Sequence, residues 1–125
     1  MKTIINSKYS KEKLQEFEAI LLKKRQHNFE QINSYKQQLR DIADNGKDEN
    51  SMENTGYNTQ IEQLMELIGR TTKYNQFVEN ALLRIKNNVF GVCAETGQLI
   101  NEDRLRAVPT TTLSLEGKKI RESKK

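Results

Sequence analysis

Apolar residues recur at steps of three and four along two stretches of the chain. The first runs from about Tyr9 to Ile42 through Leu14, Phe17, Leu21, Ile32, Tyr35 and Leu39. The second runs from about Ile61 to Val89 through Leu64 or Met65, Ile68, Val78, Leu82 and Ile85. That spacing predicts two long helices, each with one narrow apolar stripe. Neither stretch contains proline, and Gly69 alone weakens the second. Between them Asp41 to Gln60 is rich in Asp, Asn, Gly and Ser, which favours a break. Thr59, with Glu62 three residues on, suggests a capping box at the start of the second helix. A short connection implies antiparallel helices. At about 1.5 Å per residue each arm is on the order of 45–50 Å long.

The stripe is interrupted at Lys24, Arg25 and Asn28 in the first helix, and at Thr71, Thr72 and Asn75 in the second. A symmetric fold-back about the loop brings these interruptions together, with Asn28 facing Asn75. A polar layer in a helix pair lowers stability but fixes register; partly exposed positions without a role are the plain alternative.

The C-terminal third reads differently. Asn88 to Ile100 alternates and turns at Glu95-Thr96-Gly97, which suggests a short β-hairpin. Asn101, followed by Glu102 and Asp103, suits the cap and first turn of a short helix ending near Ala107. Pro109 extends Val108 before it. Ser114 caps a last short helix that carries Ile120. The fold class is therefore mainly α: a long antiparallel helical hairpin (a coiled coil) with a small zinc-finger-like α+β domain. The boundaries expected are 1–88 for the hairpin, with an acidic tip loop at about 41–58, and 89–125 for the finger-like domain with its basic tail.

The turns in that domain have the spacing of a zinc knuckle, Cys93-x-x-Thr96 and Ser114-x-x-Gly117. Structural zinc needs four strong donors in a tetrahedral shell. Cys93 is the chain's single cysteine, and the single histidine, His27, lies on the first long helix. The expectation is a finger without zinc. Structural zinc contributes on the order of 10 kcal/mol, so an apolar replacement is expected from Phe90, Val92, Leu99, Ile100, Leu105, Val108, Leu113 and Leu115. These would pack on one another and on Leu14, Phe17 and Ile85. Cys93 itself suits a buried, inert thiol.

Composition narrows the function. The chain has 125 residues, 34% hydrophobic and 30% charged, lean for a globule but ordinary for striped helices. One cysteine allows no intrachain disulfide and suits a reducing interior. No apolar run approaches the roughly 18 residues of a membrane span, and the N-terminus lacks a signal-peptide pattern, so a cytoplasmic protein without membrane contact is expected. The net charge of +4 gathers in the tail Lys118 to Lys125. A solvated end is the plain reading of such a tail; nucleic-acid contact is the sharper one. No nucleophile–base pair, metal shell or phosphate-cradling glycine loop is visible, so no enzyme is expected.

The segment ENALLRIKNNVFGVCAETGQLINEDRLRAVPTTTLS, Glu79 to Ser114, resembles the DksA/TraR family of bacterial transcription regulators, in particular those whose finger has lost cysteines. RIKN, FGVC-x-x-TG, LI, RLRAVP and TLS stand there in order. The resemblance implies a partner, RNA polymerase, whose secondary channel receives the helical hairpin, and modulation of initiation without sequence-specific DNA binding. It implies acidic tip residues of the form Asp-x-x-Asp-x-Ala. Asp41 and Asp44 supply the aspartates, Gly46 replaces the alanine, and Asp48 follows. Arg84, Lys86, Arg104 and Arg106, with Lys23, Lys24 and Arg25, become candidates for contacts along the shaft and base. The resemblance implies no cofactor other than a possible cooperating guanosine tetraphosphate, which it leaves open. A generic helix-pair adaptor, or nucleic-acid binding through the basic C-terminal region, stands as the alternative.

Overall fold

A computed structural model describes residues 9–45 and 55–124. Four helices occur among them: α1 (Lys11–Asn45), α2 (Thr55–Lys86), α3 (Glu102–Ala107) and α4 (Leu115–Ser123). The chain is mainly helical, two long helices followed by a small C-terminal domain. By packing it divides into two compact units, one of residues 1–23 with 77–125 and one of residues 24–76.

Ser10 starts α1. Its side-chain oxygen accepts from the Lys13 N–H at 3.2 Å, and its carbonyl from the Leu14 N–H at 2.9 Å, satisfying donors that the first turn cannot pair internally. At the other end α1 continues through Asp41-Ile42-Ala43-Asp44 to Asn45, and α2 already begins at Thr55. Both helices therefore reach into the stretch expected to break them. The helix penalty of Asp and Asn is only a few tenths of a kcal/mol per residue, and half-buried Ile42 offsets it by packing. Thr59 is consequently an interior residue of α2, one turn inside its start, and the expected capping box does not form there.

In the unit 24–76 the helices run antiparallel. The Asn28 Nδ2 donates to the Asn75 Oδ1 at 3.1 Å, with both residues buried at 4% and 8% exposure. Further along, Gln38, Asp41 and Ile42 of α1 share a cavity of about 480 Å³ with Gln60, Gln63, Leu64 and Leu67 of α2. The polar layer is thus a buried hydrogen-bonded pair, at the register expected from the fold-back.

In the unit of residues 1–23 and 77–125, Phe17, Leu21, Val78, Ala81, Phe90, Cys93, Ile100 and Leu105 form one buried core. The Phe17 and Phe90 rings lie 5.3 Å apart. Helix α2 stops at Lys86, earlier than the expected Val89, because Asn88 takes a left-handed conformation (φ +62). The Val89 N–H then donates to the Arg84 carbonyl at 3.0 Å and closes the helix end.

The expected β-hairpin contracts to a single antiparallel bridge, Val92 to Leu99. Positive φ at Gly91 (+83) and Gly97 (+75) bends the chain at each end of this short stretch. The Cys93 N–H donates to the Gln98 carbonyl at 2.8 Å and the Ile100 N–H to the Gly91 carbonyl at 2.7 Å. Both short helices have the expected caps: Asn101 accepts from the Asp103 N–H at 2.8 Å, and Ser114 from the Gly117 N–H at 2.9 Å.

The apolar replacement set needs correction. Phe90, Ile100 and Leu105 are buried, and Leu113 packs against the core from a half-buried position. Val92 is half-buried, whereas Leu99, Val108 and Leu115 are exposed, Leu115 by 63%. Val108 is the α3 C-cap, and Pro109 takes the buried position after it.

Candidate functional site

Three groups of residues carry the candidate chemistry. The first is the acidic end of α1. Asp41 and Asp44 lie inside the helix and are exposed; the Asp41 carboxylate accepts from the Gln37 Nε2 at 3.0 Å, one turn back. No basic residue stands in the last turn of α1. The carbonyls of a helix C-terminus carry partial negative charge and favour cations. Here two carboxylates stand at that end, so local electrostatics and sequence are opposed. Gly46 and Asp48, with the rest of the expected tip up to residue 54, lie outside the described residues.

The second group is the knuckle. All four spaced positions come together. The Cys93 Sγ accepts from the Ser114 N–H at 3.3 Å and the Ser114 hydroxyl at 3.4 Å, and Thr96 hydrogen-bonds it as well. A side chain begun at Gly117 would place its Cβ 2.4 Å from that sulfur. Burial pushes the Cys93 thiol up, but the side-chain and backbone hydrogen bonds from Ser114 and Thr96 together hold it down, at about 6. These donors favour the charged form.

The third group is the set of basic residues, and most of them are used inside the fold. The half-buried Arg84 donates to the Thr110 carbonyl at 3.3 Å, and burial lowers its pKa. Arg104 donates to the Leu113 carbonyl at 2.8 Å and the Thr111 hydroxyl at 3.4 Å. Arg106 pairs with Glu16 at 2.7 Å and Glu102 at 2.6 Å, and lies 5.4 Å above the Phe17 ring. Lys86 and Lys23 are exposed, and Lys24 and Arg25 half-buried. In the tail, Arg121 and Lys124 both pair with Glu95, at 3.1 and 2.6 Å. Lys124 and Arg121 hold the Glu95 carboxyl below its ordinary value. The tail expected as a solvated basic end is therefore tied by α4 to the turn after Cys93. Sequence reading missed this because the partners are largely backbone carbonyls and a distant glutamate.

Two long helices followed by a small C-terminal domain make a fold similar to that of DksA2. Residues 89–122 match the prokaryotic dksA/traR C4-type zinc finger family. Among solved structures the chain is similar to transcription factor DksA2 from Pseudomonas aeruginosa. The identity is 27% and the TM-score 0.78, over 92% of this chain and 87% of that one. No curated protein matches. The likeness is thus to the DksA/TraR family, in the finger at residues 89–122 and in a DksA2-like fold over most of the chain.

The family match corrects the expectation that zinc plays no part. Residues 89–122 match a C4-type zinc finger, so zinc is the metal to which the family points. The residues present are a poor fit to a four-thiolate shell. Cys93 is the one thiolate among the four positions, Thr96 and Ser114 offer hydroxyls, and Gly117 offers no side chain. Among the described residues no group of three or more His, Cys, Asp or Glu gathers elsewhere. Among the same residues no helix is long and apolar enough to cross a membrane.

Proposed function

We propose that this chain regulates transcription by binding RNA polymerase and placing the ends of α1 and α2 in the polymerase secondary channel, where it modulates initiation without reading DNA sequence. The observation that carries the reading is the likeness to transcription factor DksA2 over 92% of the chain, combined with Asp41 and Asp44 standing at the end of α1. A pair of helices is slim enough for a pore that excludes a globule. Carboxylates delivered by it perturb the electrostatics around a catalytic magnesium ion. The buried Asn28–Asn75 pair supports the same reading, since it sets how far along α2 each residue of α1 stands.

The reading assigns the chain no catalytic step and places it in the cytoplasm with the polymerase. Nucleic-acid binding through the tail is less well supported, because Arg121 and Lys124 are engaged by Glu95.

The test is the double substitution Asp41→Asn with Asp44→Asn. The effect on initiation is expected to vanish in transcription with purified components, while co-migration with core RNA polymerase persists. Failure of the wild-type chain to co-migrate at low salt would overturn the proposal.

A further inference from the structure

Tyr9 precedes the Ser10 cap of α1, so its position is fixed by the helix start. Its hydroxyl donates to the Ile100 carbonyl, 91 residues away in sequence. Its ring meets the Phe17 ring edge-on at 5.8 Å. The opposite wall is Gly91, where a Cβ would come within 2.7 and 2.8 Å of two Tyr9 ring carbons. Gly91 therefore serves twice: it adopts a φ of +83, and it leaves the space in which the ring lies.

Ile100 is no neutral partner. The next residue, Asn101, caps α3, and α3 carries Arg104, which holds the Leu113 carbonyl. A second tie joins the same two elements: Lys13 of α1 pairs with Glu102 at 2.9 Å, and Glu102 shares Arg106 with Glu16. The start of α1 thus grips the start of α3 through one half-buried ring and two largely exposed ion pairs, Lys13–Glu102 and Arg106–Glu16. Exposed pairs contribute little each, so the tyrosine is the specific part of the grip.

We propose that Tyr9 is a positioning residue: a strap at the head of α1 that seats α3, and through Arg104 the segment from Thr111 to Leu113, against the core. The strap opens and closes locally, without unfolding of residues 24–76. Local openings of this kind are ordinary in proteins and span a wide range of free energies. The inference is independent of the transcriptional reading and needs no partner to test.

Backbone amide hydrogen exchange of the full chain, followed residue by residue, is the test. Tyr9→Phe keeps the ring and removes the donor; Tyr9→Ala removes both. In Tyr9→Phe the Ile100, Leu105 and Val108 amides should exchange at least about tenfold faster, while amides near Asn28 and Asn75 stay within about twofold. Tyr9→Ala should extend the same local pattern. Uniform acceleration along the chain would reduce Tyr9 to one more core contact and overturn the proposal. Unchanged exchange at Ile100 in Tyr9→Phe would overturn it as well.

Discussion

Gly69 and Gly117 both lie in helices, and the same substitution should act on them with opposite sign. In a helix interior Gly→Ala gains up to about 1 kcal/mol, because alanine has less backbone freedom to lose. At Gly69 an added Cβ meets nothing within 4 Å, so Gly69→Ala should stabilise the chain by about 0.5–1 kcal/mol. At Gly117 the added Cβ stands 2.4 Å from the Cys93 Sγ and 3.3 Å from both the Glu95 Cβ and the Ser114 Oγ. Ordinary carbon contacts begin at roughly 3.5 Å, so the sulfur is overlapped by about 1 Å. It has no room to retreat, since Cys93 is 1% exposed and its sulfur lies against Ser114. Overpacking of this kind costs about 1–3 kcal/mol. If Ser114 gives way instead, the α4 cap is lost at about 1 kcal/mol. The overlap together with the weakened cap outweighs the propensity gain. The assay is urea unfolding followed by circular dichroism for Gly69→Ala, Gly117→Ala and the pair Gly117→Ala with Cys93→Ala. Removing the sulfur relieves the overlap, so the pair should show a favourable coupling on the order of 1 kcal/mol or more. A Gly117→Ala protein as stable as wild type, or additive behaviour with Cys93→Ala, would refute the close-packed knuckle.

Asn28→Leu alone leaves Asn75 buried without its partner and should destabilise by about 1–3 kcal/mol. Asn28→Leu with Asn75→Leu should recover that loss while relaxing register, which a double-mutant cycle and disulfide trapping of engineered cysteine pairs across α1 and α2 would read. Lys124 with Arg121, and Lys13 with Arg106, hold the Glu95 and Glu102 carboxyls below their ordinary 4.5. A carboxyl lowered by folding contributes stability that is present above its unfolded value and lost as pH falls through the folded one. Unfolding titrations at pH 7 and pH 3 should therefore differ less in Glu95→Gln than in wild type.

The long helices were legible because burial on one side writes a period of three to four into the sequence, and Asn28 opposite Asn75 followed from folding that period back on itself. Asn101 and Ser114 were legible as caps because their hydrogen bonds are local. Helix limits were not. Asp41 to Asn45 and Thr55 to Gln60 look like breakers, yet their weak local preference yields to continuation of the helices. The roles of Arg84 and Arg104 were hidden for another reason. Their acceptors are the carbonyls of Thr110 and Leu113, and a backbone carbonyl has no signature in sequence. The contact of Tyr9 with Ile100 was hidden because the two lie 91 residues apart in sequence. The knuckle spacing was visible, but zinc was set aside from ligand types alone, and the family match corrects that.

The orientation of charge at the end of α1 bears on how this chain could be altered. Anyone optimising it for robustness alone would exchange Asp41 and Asp44 for lysine, bringing charge and helix dipole into agreement. The sequence nonetheless carries the unfavourable pair. A thermostability screen carried out without a transcription readout would select against the two side chains on which the proposed activity depends.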